Sequence, residues 1–211
     1  MMKTPTLALL LPVLAISGLS ATTSGHAGQA QDQPGLPASC DTSHNLVANP
    51  DFATNERGRI SPWGASQHAG EHSFELTLKD GEAWISRIAT QPWYTLTQTI
   101  PMAEAKGHEL VYLAELKLDL NTEGLTHGFE KGGGLSVTVR GNPDPVLGGD
   151  SLLFSRRFDH EPHLGTHDWT PVMLAFQVPA DATLLRVGFA HYANGTMAVR
   201  KPALYICDDK R

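Results

Sequence analysis

The sequence predicts an all-β protein built as a two-sheet antiparallel β-sandwich. Three observations predict it. Apolar and polar residues alternate along most of the chain, turn-forming residues recur roughly every 8–12 positions, and no long stretch has the helical period of about 3.6 residues. The 211 residues include 20 glycines and 14 prolines, which suits many turns and short strands. Sandwiches with about nine or ten short strands fit these observations best.

The alternation places the individual strands. In residues 74–79 every second side chain is apolar, and Asp80-Gly81 then predicts a hairpin. Residues 109–120 form the longest predicted strand, after one short helical turn at 102–106, and Asn194-Gly195 predicts a hairpin between the last two strands. The predicted strands cover residues 74–79, 82–89, 93–100, 109–120, 135–140, 152–158, 169–178, 183–193 and 196–206.

The N-terminal residues have the pattern of a secretory signal peptide. Lys3 precedes an apolar run from Leu7 to Leu19, and small residues follow up to Ala27. The apolar run is too short to span a bilayer comfortably. We therefore predict a signal peptide at 1–27, a flexible lead-in at 28–39 and one sandwich domain at 40–211, in a protein that is secreted or periplasmic.

Charge and cysteine usage limit the partners and the compartment. The formal net charge is −6 and the basic residues form no cluster, which argues against nucleic acid as a partner. The two cysteines, Cys40 and Cys207, lie at the two ends of the predicted domain. Outside the cytosol such a pair predicts a disulfide, which requires the first and last strands to be neighbours. We expect a monomer.

Three stretches of the chain occur in a distinctive order. They are Asn45-Leu46-Val47-Ala48-Asn49-Pro50-Asp51-Phe52 with Trp63, Trp93-Tyr94-Thr95-Leu96-Thr97-Gln98-Thr99-Ile100-Pro101 with Gly107 and Tyr112, and Trp169 with Val172–Pro179. Together they resemble secreted carbohydrate-binding modules with a galactose-binding-like jelly roll, of the type of families 4, 9 and 22. The resemblance covers about 160 residues and implies a fold that binds glycan on a concave sheet face or at a loop-lined end.

The resemblance departs from the family at two places that serve a structural calcium ion. Ala53 stands where many modules have glutamate, and the last strand reads Lys201-Pro202-Ala203-Leu204-Tyr205 where they have an aspartate. Calcium needs six to eight oxygen ligands, for which Asp51 and Asp208 are the remaining candidates. We predict no cofactor.

Sugar recognition requires flat apolar faces for pyranose rings and polar side chains that form paired hydrogen bonds with hydroxyl groups. The aromatic residues Trp63, Trp84, Trp93 and Tyr192 are the candidate platforms, and Glu115, Lys117 and Arg140 are the candidate polar partners. The sequence therefore favours a non-catalytic protein that binds a glycan or a cell-envelope polysaccharide.

Two other functions stay open at this stage. His160-Glu161-Pro162-His163-Leu164-Gly165-Thr166-His167-Asp168 places three histidines and two acids in one loop, which suggests a zinc-dependent polysaccharide hydrolase or a lyase. The chain contains neither a Gly-x-Ser-x-Gly motif nor a phosphate-binding loop. The third possibility is a structural envelope protein that uses the sandwich to bind another protein.

Overall fold

The computed structural model describes residues 35–143, 146 and 148–208, which form ten strands and one short helix. In order these are β1 (Gly64–Gln67), β2 (Phe74–Lys79), β3 (Glu82–Arg87), β4 (Tyr94–Ile100), α1 (Met102–Ala105), β5 (Glu109–Asn121), β6 (Gly133–Pro143), β7 (Asp150–Arg157), β8 (Gly165–Gln177), β9 (Leu184–His191) and β10 (Asn194–Ile206).

The strands form two five-stranded antiparallel sheets, which confirms the predicted β-sandwich. Sheet A has the order β1-β4-β9-β6-β7, and sheet B has the order β2-β3-β10-β5-β8. Side chains from the facing surfaces of both sheets make up the main hydrophobic core. The burial of each large apolar side chain contributes about 1.5–3 kcal/mol, so the alternating pattern fixes which face of each strand turns inward.

Strand β5 shows this relation between sequence and burial most clearly. Leu110, Leu116 and Leu118 are buried in the core, while Glu115 and Lys117 point to the outer face of sheet B. A slip of one residue in the pairing would expose the leucines and bury the charges. The strand therefore orients two of the predicted site residues away from the core.

One of the two predicted hairpins forms and the other does not. Asp80 and Gly81 connect β2 to β3, both with positive φ, as a type I′ turn requires. The predicted Asn194-Gly195 hairpin is wrong, because β9 belongs to sheet A whereas β10 belongs to sheet B. Asn194 instead pairs with Asn121, and its side-chain amide donates a hydrogen bond to the Glu123 carbonyl oxygen at 2.7 Å.

The segment before β1 closes the sandwich along its last strand. The predicted disulfide between Cys40 and Cys207 is confirmed. The Asp41 amide donates to the Ile206 carbonyl at 2.8 Å, and the Leu46 amide donates to the Leu204 carbonyl at 3.0 Å. The N-terminal segment therefore runs beside β10, as the disulfide prediction required.

The same segment covers part of sheet B. Leu36 and Cys40 pack on a small apolar cluster formed by the outer-facing side chains Val111 and Leu113 together with Ala203. These outer-facing residues would otherwise be exposed to water. In the part of the chain that the structure describes, this segment does not reach the half of the sheet B face beyond Leu113.

The asparagines of the Asn45–Phe52 stretch are structural. Asn45 spans the bulge in β10: its Oδ1 accepts from the amides of Val47 and Leu204, and its Nδ2 donates to the Pro202 carbonyl. Asn49 closes its loop by hydrogen bonds to both backbone groups of Ala53. This stretch of the resemblance therefore supports the fold.

Gln98 in β4 explains a second stretch of the resemblance. Its buried amide accepts from the Ala48 amide at 3.0 Å and donates to the Ala48 carbonyl at 3.1 Å, which docks the N-terminal segment on sheet A.

We expect Gln98→Leu to lower the free energy of unfolding by about 1–3 kcal/mol, since both Ala48 groups lose their partners. Thr99→Val on the outer face is the matched control, and chemical denaturation measures both.

The predicted signal peptide lies outside the described residues, as does the lead-in up to residue 34. In the part of the chain that is described, no helix is long and apolar enough to cross a membrane.

Candidate functional site

The seven predicted ligand-binding residues separate into three regions of the sandwich. Trp63 lies in the core. Trp84, Glu115 and Lys117 lie on the outer face of sheet B, and Trp93, Arg140 and Tyr192 belong to the outer side of sheet A. Trp84 and Trp93 therefore do not line one common groove.

Trp63 has no open ring face. It is 6% exposed, its ring stacks on Phe189 at 5.8 Å between centroids, and its Nε1 donates to the Asn49 carbonyl at 2.9 Å. The indole holds the Asn49 loop against the core. Trp63 is therefore a core residue and not part of an exposed surface.

The half of the sheet B face beyond Leu113 contains a groove of about 610 Å³ beside Trp84. Trp84 packs edge-to-face against Trp169 at 6.3 Å, and its Nε1 donates to Glu82 at 2.9 Å. The other residues that line the groove are Ser86, Lys117, Leu118, Asp119, Thr166, His167, Asp168 and Thr196.

Charged side chains on the sheet B face are paired with each other. The Arg200 guanidinium lies 4.1 Å from the ring centroid of Trp169 and forms a 2.6 Å ion pair with Glu115. Lys201 also binds Glu115, and Lys117 pairs with Asp168, each at 2.8 Å. Burial raises the pKa of Glu115, but hydrogen bonds from Lys201 and Arg200 outweigh it and hold this pKa below its usual value.

On the outer face of sheet A, residues that pair across neighbouring strands form rows, in which side chains with hydroxyl groups and small side chains predominate. One row runs Thr99, Arg186, Thr138, Ser155, and the next runs Thr97, Gly188, Ser136, Arg157. A third row joins Ser66, Thr95, Ala190 and Gly134. Gly188, Ala190 and Ser136 are buried although they face outward, so they form the floor of this surface.

Four aromatic side chains stand at one end of these rows, and we call them the aromatic end: Trp93, Phe129, Phe158 and Tyr192. Trp93 stacks on Tyr192 at 6.4 Å, while Phe129 and Phe158 meet the same ring edge-on at 6.2 and 5.6 Å. Trp93 is half-buried and Phe129 is 46% exposed, so both offer ring surface to solvent.

Sequence reasoning found only part of the aromatic end. Trp93 and Tyr192 were predicted, but Phe129 was not, because it lies in the irregular connection between β5 and β6 where no alternation marks its side. Arg157 was also missing from the predicted set. Its guanidinium lies 5.5 Å from the Tyr192 ring centroid.

A cavity of about 440 Å³ adjoins the aromatic end. Pro92, next to Trp93, and His127, in ring contact with Phe129 at 5.9 Å, both line it. Arg87 also lines it and donates two hydrogen bonds to the carbonyls of Ala89 and Thr90, at 2.9 and 2.6 Å. The aromatic end therefore borders a cavity and is not only a flat surface of aromatic rings.

The histidines of the 160–168 loop do not gather into a metal site. Among the described residues, no group of three or more His, Cys, Asp or Glu side chains is placed to hold a metal ion. His160 Nε2 accepts a hydrogen bond from the Leu135 amide at 2.9 Å, so this nitrogen is not available to bind a metal ion in this conformation. His163 stacks on Phe158, and His167 instead lines the sheet B groove.

The two remaining candidates for a calcium site are far from forming one. Asp208 accepts hydrogen bonds from His108 and from the Glu109 amide, and these bonds hold its pKa below the usual value. Asp51 lies near Gly81 at the β2–β3 turn. Asn45 joins the first segment to the last strand by its hydrogen bonds with Pro202 and Leu204.

Two buried histidines make stability depend on pH. Burial is the main reason that the pKa values of His160 and His191 both fall to about 4. Above about pH 6.5 each is neutral in the folded and unfolded states, but between about 6.5 and 4 only the unfolded state takes up the proton. The free energy of unfolding therefore falls as the pH falls through this window, by up to about 3 kcal/mol for each histidine.

His160→Gln tests this dependence, because glutamine does not titrate and can still accept from the Leu135 amide. We expect a smaller loss of stability between about pH 7.5 and 4.5 in this variant than in the wild type, measured by urea denaturation. Equal losses in the two proteins would contradict the assignment. His191 titrates in both proteins, so the difference isolates His160.

The comparisons with known proteins concern the fold. No family model matches the chain, and no curated protein matches it. A carbohydrate-binding module of family 4 is 17% identical, with a TM-score of 0.47 over 76% of this chain and 99% of that chain. A family 22 xylan-binding domain from Paenibacillus barcinonensis Xyn10C is 9% identical, with a TM-score of 0.45 over 79% and 96%.

Two further structures extend the comparison. The module TmCBM61 in complex with β-1,4-galactotriose is 11% identical, with a TM-score of 0.42 over 77% of this chain and 99% of that chain. The enzymatically active domain of tailspike protein 4 from bacteriophage CBA120 is 16% identical, with a TM-score of 0.47, and this chain covers only 21% of it. Solved structures that are similar to this chain thus include carbohydrate-binding modules, the class that the resemblance named, and the similarity identifies no ligand.

Proposed function

We propose that this protein is a non-catalytic glycan-binding protein whose ligand lies across the outer face of sheet A. The aromatic end stacks a pyranose ring, and the hydroxyl rows of β4, β6 and β7 bond to sugar hydroxyls. The observation that carries the proposal is the continuity of these two features on one surface. Aromatic rings beside convergent small polar groups are what sugar recognition requires.

The floor of the sheet A face supports an extended ligand. Gly188, Ala190 and Ser136 keep the centre of the face low, while Thr95, Thr97 and Thr138 present hydroxyl groups that are both donors and acceptors. A chain of sugars can therefore approach the backbone closely between these side chains. The hydroxyl groups suit many sugars and do not by themselves select one.

The sheet B groove is the weaker of the two surfaces. Its charged groups already satisfy one another, so a ligand has to break ion pairs of Lys117 and Glu115 before it gains new contacts. The ring face of Trp169 is covered by Arg200. On sheet A, Arg157 and Arg186 belong to no ion pair among the described residues, so a ligand there displaces none of theirs.

The test is binding to a panel of polysaccharides by affinity electrophoresis, with bulky substitutions on each face. We expect the wild type to be retained by at least one polysaccharide. Thr138→Trp fills the middle of the sheet A face and should abolish this retention, whereas Ser86→Trp in the sheet B groove should preserve it. No retention on any polysaccharide, or loss only with Ser86→Trp, would contradict the proposal.

We also propose that the protein acts outside the cytosol, after removal of residues 1–27. The disulfide supports this, because such bonds persist in oxidising compartments. N-terminal sequencing of the exported protein should begin at Gly28, and an intact Met1 terminus in that protein would contradict the proposal.

A further inference from the structure

The outer face of sheet A carries arginine side chains in successive rows. Arg140, Arg186 and Arg157 occupy three successive rows of this face. The rows contain no aspartate or glutamate; threonine, serine, glycine and alanine occupy most of their other positions. In the described part of the chain, neither Arg157 nor Arg186 belongs to an ion pair.

The surroundings of Arg157 and Arg186 leave their guanidinium groups available. Arg186 is exposed in the centre of the face, between Thr99 and Thr138. Arg157 donates a 3.3 Å hydrogen bond to Ser155, and its Nε has no partner although it is buried. The neighbouring Arg156 differs, since it pairs with Asp159 at 3.5 Å.

Sheet B provides an internal comparison. Its outer face also carries basic residues, but Lys117, Arg200 and Lys201 each have a carboxylate partner within 2.8 Å. Arg157 and Arg186 on sheet A differ from these residues in this respect. Their charge is also opposite in sign to that of the whole protein, whose formal net charge is −6.

Glu130, which follows Phe129 in the chain, is one acid near the aromatic end. Burial raises the pKa of Tyr192, the charge of Arg157 lowers it, and the charge of Glu130 raises it further. Glu130 therefore lies near Tyr192, whereas Arg186 lies in the centre of the face between Thr99 and Thr138.

We propose that the glycan bound on sheet A is an anionic polysaccharide, with carboxylate or sulfate groups spaced along its chain. Arg157 and Arg186 bind these groups. This inference rests on the proposed function and names its ligand class. Guanidinium groups suit the task because each presents paired N–H donors in the geometry of a carboxylate or sulfate edge.

The aromatic end and the arginines then have separate roles. Trp93 and Phe129 stack a sugar ring regardless of its charge, whereas Arg157 and Arg186 distinguish an acidic sugar from a neutral one. Two nearby surface charges also make binding depend on ionic strength, because salt screens exposed charges over about 10 Å at 0.1 M.

The experiment compares polymers that differ only in charge: polygalacturonate with its methyl ester, and dextran sulfate with dextran. We expect the wild type to bind at least one acidic member about tenfold or more tightly than its neutral partner, which corresponds to about 1.4 kcal/mol. The two pairs distinguish carboxylate from sulfate as the preferred group. Arg157→Gln/Arg186→Gln should bring the acidic and neutral affinities together.

Lys117→Gln/Lys201→Gln is the matched control, because it removes two positive charges from sheet B and should keep the preference. Equal wild-type affinity for acidic and neutral polymers would overturn the inference but leave glycan binding intact. Equal loss in both double variants would also overturn it, as would binding to single-stranded DNA as tight as that to the acidic polymers. Failure to bind any polymer would overturn the proposed function itself.

Discussion

Replacing both Cys40 and Cys207 with serine is expected to lower the free energy of unfolding by up to about 5 kcal/mol. The bond joins residues 167 positions apart, so its removal frees almost the whole domain in the unfolded state. It also ties down the segment that carries Asn45 and covers Val111 and Leu113. Urea denaturation of the two proteins without reductant measures the loss.

A reducing agent provides the control for this prediction. Reductant should lower the stability of the wild type to that of the double serine variant, and it should leave the variant unchanged. A wild type that keeps its full advantage after complete reduction would show that the two thiol side chains stabilise by packing and not by the covalent bond.

Trp93→Ala is expected to weaken glycan binding by about tenfold to hundredfold, the range typical of a central aromatic contact. The substitution removes one of the two rings of the aromatic end that offer surface to solvent, and it leaves Tyr192 without its stacking partner. Isothermal titration calorimetry should use the polysaccharide that retains the wild type most strongly, cut to soluble fragments.

Trp84→Ala on sheet B is the matched control for Trp93→Ala, because it removes the same side chain from the opposite face. We expect its affinity to remain within about twofold of the wild type. Thermal unfolding of both variants checks that they fold. A large loss with Trp84→Ala and none with Trp93→Ala would move the ligand to the sheet B groove.

Alternation predicts the strands well because burial decides which side of a strand faces inward. It predicts β5 almost to the residue, since every even-numbered side chain from Leu110 to Leu120 is buried. It misses β1, whose residues are mostly exposed and therefore show no pattern. It also cannot assign strands to sheets, which is why Asn194-Gly195 was read as a hairpin although the chain crosses from sheet A to sheet B there.

The candidate site is harder to predict because it depends on those sheet assignments. Trp63, Trp84 and Trp93 each have a polar residue two positions before them, yet one is in the core and the others lie on opposite faces. The neighbours of Arg157 and Arg186 likewise depend on how strands β6, β7 and β9 lie beside each other. The pairing of these strands cannot be derived from the spacing of residues in the sequence.

Amide chemical shifts in a titration test the central claim most directly, that a glycan lies across the outer face of sheet A. The titrant is the soluble fragment of the polysaccharide that the wild type binds best. We expect the largest changes at Thr97, Ser136, Arg186 and Tyr192, with little change at Trp84 or Lys117. Changes concentrated around Trp84, Lys117 and Asp168 would contradict the account.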